Sequence, residues 1–138
     1  MLKLYFLLIV VISGHAFAQN KFDSKIIITV KDTTNLYKTV KIALVNFDFI
    51  VKDNYNDDTL TTYPKEIKIF KGMIMCRAIL NEFTVTLTGV YGFKSVDFWG
   101  FTTLPDTYKR IIYYNGSKTW KLLLKIANKI PGELTYSE

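Results

Sequence analysis

The sequence predicts an all-β fold, an antiparallel β-sandwich of about seven or eight strands. Three observations carry that expectation. Between Glu82 and Thr88, Phe83, Val85 and Leu87 alternate without a break with Glu82, Thr84, Thr86 and Thr88. Such a pattern suits a sheet with one core face and one wet face. Clusters of turn-forming residues recur along the chain, at Asp32–Asn35, Asp53–Asp58, Lys71-Gly72 and Asn115-Gly116. The runs between them are rich in β-branched and aromatic side chains, which fit a pleated surface. A small antiparallel β-barrel alternates in the same way, with a C-terminal helix as a variant, so periodicity leaves sandwich and barrel both open.

Residues 1–18 read as a secretory signal peptide. Lys3 gives a basic start, Leu4–Ile12 is wholly apolar, and Ala16-Phe17-Ala18 forms a small-residue cleavage site before Gln19. The apolar run falls short of the roughly 20 residues a membrane span needs. Gln19 also stands where a lipid anchor would require cysteine. The expectation is an exported chain, periplasmic or extracellular, with one domain over 19–138 and no membrane span. Loss of the leader removes His15, the sole histidine, and lowers the formal net charge from +6 to +5. Arg77 and Arg110 are the only arginines and no polybasic run occurs, so no nucleic-acid partner is expected.

Taken in order, the first strand is Lys25–Lys31, with Ile26, Ile28 and Val30 on one face. Leu36–Lys52 reads as a long β-rich run. Val40, Ile42 and Leu44 alternate in one parity, then Val45, Phe47, Phe49 and Val51 in the other. A β-bulge near Leu44-Val45 is the simplest device that swaps the faces. Asp53–Asp58 is the most polar segment and reads as a solvated loop. As a calcium loop it lacks glycine at Thr59 and the closing glutamate at Lys65. Thr59–Tyr63 suits a short edge strand ended by Pro64, Glu66–Phe70 a further strand, and Met73–Leu80 a central one.

Glu82–Thr88 follows, and Gly89 and Gly92 suggest a bend before alternation resumes with Val96 and Phe98. Asn115-Gly116 is a strong hairpin signal, because a type I′ turn needs positive φ at both residues. It would set Ile111 opposite Trp120. Trp120–Ile126 then reads as the partner strand, although Trp120, Leu123, Leu124, Ala127 and Ile130 also fit a helical stripe. Pro131-Gly132 ends either element, and Glu133–Glu138 reads as a loose tail.

The chemistry available is narrow. Without histidine in 19–138 there is no Ser-His-Asp triad and no histidine-bound zinc. Cys76 is the only cysteine and lies in an apolar run, which marks a buried inert thiol. Nucleotide-cradling glycine motifs are absent. Glu82 and Asp97 are the acids that border the central β stretch and form the one conceivable carboxylate pair for a glycan hydrolase. No cofactor, metal or catalytic residue is assigned, and the chain reads as a non-enzyme.

The function that remains is a secreted or periplasmic binding or assembly module. It would act on a protein or glycan partner through an exposed aromatic patch or a sheet edge. A β-barrel carrier of an apolar ligand is the alternative. The candidate contact residues are Trp99 and Phe101, with Tyr91 from the preceding bend. Parity sends Phe98 to the core with Val96 and leaves Trp99 on the Asp97 face.

Overall fold

The computed structural model describes residues 19–52, 58–68 and 71–138. The expected signal peptide, residues 53–57 of the polar loop, and residues 69–70 lie outside the described residues. So do Asn54 and Asn56, on which the calcium reading depended.

The chain is mostly β, in antiparallel sheets of seven and two strands with a sandwich-like arrangement, and no barrel closes among the described residues. The elements run β1 (Lys25–Thr29), α1 (Leu36–Val45), β2 (Thr59–Thr61), β3 (Lys65–Ile67), β4 (Gly72–Asn81), β5 (Thr84–Phe93), β6 (Ser95–Val96), β7 (Thr102–Thr103), β8 (Lys109–Arg110), α2 (Lys118–Ala127) and β9 (Glu133–Ser137). The spine is the β4–β5 hairpin, paired over ten residues from Gly72↔Phe93 to Asn81↔Thr84. On the far side of β4, β2 and β3 occupy successive parts of one edge. On the far side of β5, β1 and β8 do the same, and β9 lies outside β1.

The expected alternation in β5 holds. Val85 and Leu87 are fully buried, and they pair across the sheet with Ile28 and Ile26 of β1. Ala78 and Cys76 continue this face on β4. The opposite face carries Thr84, Thr86 and Thr88 beside Arg77 and Ile79. Phe83 departs from the pattern: it sits in the turn between β4 and β5 and is exposed.

Two helices complete the core over the apolar face, and both replace expected strands. α1 takes the place of the bent strand over Leu36–Lys52. Its buried residues, Val40, Ala43 and Leu44, are spaced three and four apart. The parity change at Leu44-Val45 was therefore a helical stripe seen through a period of two. The helix closes on Asp48, which is left-handed at φ 62°. Phe49 N–H returns to the Leu44 carbonyl and Asp48 N–H to that of Val45, the double return of a Schellman motif.

α2 replaces the strand over Trp120–Ile126, and the Asn115-Gly116 turn leads into a helix instead of a hairpin. Ser117 N–H bonds to the Tyr114 carbonyl at 3.0 Å, with Gly116 at φ 87°. The Ser117 hydroxyl then accepts Trp120 N–H at 3.2 Å and caps the helix. Trp120, Leu123, Ile126 and Ala127 are buried, while Lys118, Lys121 and Lys125 face solvent. Ring contact with Trp120 comes from Tyr113, at 5.9 Å.

Two further expectations change. Gly89 does not bend the chain, since β5 runs through it to Phe93. A Cβ there would stand 2.7 Å from Ile111 Cδ1 and 3.2 Å from Leu123 Cδ2, so the missing side chain lets α2 and Ile111 seat against the sheet. Residues 133–137 are not a loose tail; they form β9, paired over five residues with β1.

Candidate functional site

The β6–β7 hairpin is built from its turn. Ser95 and Val96 pair with Thr103 and Thr102, leaving Asp97–Phe101 as the tip. Asp97 organises that tip from inside. Its Oδ1 accepts Trp99 N–H at 3.0 Å and Phe101 N–H at 2.7 Å. Its own N–H bonds to the Phe101 carbonyl at 2.9 Å, and its carbonyl accepts Gly100 N–H at 3.1 Å. Gly100 supplies the left-handed residue, φ 81°. At the base the Ser95 and Thr103 hydroxyls bond to each other.

With four of its five backbone N–H groups bonded within the turn, the tip turns its side chains outward. Phe98 is 96% exposed, Trp99 79% and Phe101 69%. Phe98 is thus no core residue. The parity argument assumed a regular strand through Phe98, but the ladder ends at Val96. Phe98 and Trp99 meet edge to face at 5.6 Å. Val96 and Leu104 extend the apolar surface.

Tyr91 lies elsewhere. It is half-buried on the helix side of β5, with its ring edge-on to Phe93 at 5.8 Å. A depression of about 290 Å³ there is lined by Tyr91, Phe93, Tyr114 and Lys118 among others. Trp99 and Phe101 share the hairpin tip, whereas Tyr91 belongs to its root.

The carboxylate pair does not converge. Glu82 precedes β5 and Asp97 lies beyond its other end, and the ten-residue strand between them is about 30 Å long at roughly 3.4 Å per residue. Glycosidase carboxyl groups stand about 5–9.5 Å apart. Asp97 is moreover engaged by the turn. Among the described residues no three His, Cys, Asp or Glu side chains gather as a metal site. Cys76 is buried, and loss of solvation pushes its thiol up to about 12.

A second feature was not visible in the linear sequence. Lysines from β3, the turn after it and α2 surround a groove of about 490 Å³: Lys65, Lys68, Lys118, Lys121 and Lys125. Among the described residues Glu66 is the one carboxylate lining it, and Lys94 holds that carboxylate at 3.0 Å. The spacing of 118, 121 and 125 is a helical stripe, so only the reading of α2 as a helix would have revealed it. No protein-family model matches the chain, and the searches of known proteins and of solved structures found no match either.

Proposed function

We propose that this chain is an exported, non-catalytic binding or assembly module whose contact element is the β6–β7 hairpin. The observation that carries this reading is the exposure of Phe98, Trp99 and Phe101 on a turn held by the Asp97 carboxylate. Exposed rings of this size have a desolvation free energy to gain on contact. A turn fixed beforehand lowers the ordering cost of binding, and tryptophan recurs as an interface anchor. The sheet edge at β9 offers a weaker case, since its five residues include Glu133, Thr135 and Ser137. The carrier reading needs an enclosed lumen, and the depression beside Thr29–Asp32 and the one ringed by the lysines are open grooves.

The test is a benzophenone amino acid placed at Phe98, Phe101 or, as control, Thr86 on the opposite face of the sheet, in cells that export the protein. The expected outcome is a discrete adduct from Phe98 and Phe101 on irradiation and none from Thr86. Absence of adducts at both hairpin positions refutes the hairpin as contact element.

A further inference from the structure

The lysine groove and the aromatic hairpin meet at one end of the molecule. Glu66 lines the groove and is bridged to Lys94, which directly precedes β6. Lys94 N–H also bonds to the Lys71 carbonyl, which ties the hairpin root to the start of β4. Lys118 lines both the groove and the depression that holds Phe93, itself 58% exposed. Cationic side chains therefore run from α2 to the foot of the exposed rings.

Their charge is largely uncompensated. Among the described residues Lys68, Lys118, Lys121 and Lys125 have no carboxylate partner. Lys65 is held inward, donating to the Phe47 carbonyl and lying 5.0 Å over the Phe49 ring. The remaining lining is apolar, from Ile67 and Leu122. Ammonium groups around an apolar floor, beside exposed aromatic rings, match a surface that is anionic outside and hydrocarbon beneath. Aromatic rings favour the interfacial layer of a bilayer. Lysines clustered on an amphipathic helix are drawn to anionic headgroups.

We propose that the hairpin and the lysine groove together form a docking surface for an anionic lipid bilayer, the lysines meeting headgroup phosphates while Phe98, Trp99 and Phe101 enter the interface. This rests on the reading of the hairpin as the contact element and names its partner surface. A soluble acidic glycan would meet the same charges and stack on a ring, but a polar chain leaves the apolar floor of Ile67 and Leu122 uncovered.

The experiment is co-sedimentation of the purified chain with vesicles of phosphatidylglycerol and phosphatidylcholine, and with pure phosphatidylcholine vesicles. The variants are the triple Lys118→Gln/Lys121→Gln/Lys125→Gln and the pair Phe98→Ser/Trp99→Ser. Parent and variants carry the same N-terminus, so differences between them report these side chains alone. All five positions are exposed, and coincident melting curves establish that the variants fold. The parent should bind the anionic vesicles, release them at high salt, and bind the neutral ones far less. Three lysines at about fivefold each should make the triple variant about a hundredfold weaker. The hairpin pair should also lose affinity, and Trp99 emission should shift to the blue on binding.

Lack of binding by the parent, equal binding to neutral vesicles, or an unaffected triple variant overturns the proposal. So does lysine-dependent binding of soluble polygalacturonate without vesicle binding, which assigns the groove to an acidic glycan. If vesicles fail while photo-adducts to a protein form at Phe98, the hairpin reading stands and the lipid assignment alone falls.

Discussion

The two tryptophans occupy opposite environments by similar local means. Trp120 is 1% exposed, and its backbone N–H is taken by the Ser117 hydroxyl. Trp99 is 79% exposed, and its backbone N–H is taken by the Asp97 carboxylate. In each case an oxygen two or three residues upstream fixes the backbone. The difference lies in what faces the ring. Trp120 has Tyr113 at 5.9 Å and Tyr136 at 6.1 Å, and its indole N–H reaches Gln19 Oε1 at 3.2 Å. Trp99 has Phe98 as its ring neighbour, which is more exposed than itself. Local hydrogen bonding sets where a side chain starts. Only an opposing layer determines whether it is buried.

The largest effect should separate the pair directly. Trp120→Ala should cost about 3–5 kcal/mol, as for other large aromatic truncations in cores. Trp99→Ala should stay within about 0.5 kcal/mol of the parent. Urea denaturation of both variants checks this, and equal losses would end the distinction between core and contact tryptophan.

Cys76 extends the buried side of the comparison. Its thiol titrates near 9.0 when unfolded and near 12 when folded. Below pH 9 both states hold the proton, and stability should not depend on this group. Above pH 9 the unfolded chain ionises first and is favoured. Stability should then fall by about 1.4 kcal/mol per pH unit. Comparison with Cys76→Ala, which removes this slope, isolates the thiol.

The two backbone caps sharpen the contrast at smaller scale. Ser117→Ala should cost about 1 kcal/mol, because it frees a donor in the first turn of a packed helix. Asp97→Ala should leave the unfolding free energy nearly unchanged, since the tip contributes no core. It should instead speed hydrogen exchange at the Trp99 and Phe101 amides. Unchanged exchange there would show that the carboxylate does not hold the tip.

Much of the sheet was legible from the residues. Ile26 and Ile28, Val85 and Leu87 repeat every second position, and a strand with one buried face leaves that trace wherever it pairs. Gly89 was legible as an interruption but not as a seat for α2, because Ile111 and Leu123 are distant in sequence. α2 left signals of its own: Ser117 as a cap, a stripe from Trp120 to Ile130, and Pro131-Gly132 as a stop. The Asn115-Gly116 turn outweighed them, since such a turn serves a hairpin or a helix entrance equally well. α1 left weaker ones. Asn35 makes no side-chain cap and the first turn has no acidic residue, so this helix depends on packing.

The residue pattern alone carries the antiparallel alternation and the edge and central strands of the β2–β5 region. These follow from composition and from contacts between near neighbours. Tertiary structure alone decided that helices cover the apolar face, that Phe98 points outward, that Glu82 and Asp97 stand at opposite ends of β5, and that five lysines ring one groove. Each of these depends on which distant segment lies opposite, and a period read over a few residues carries no record of that.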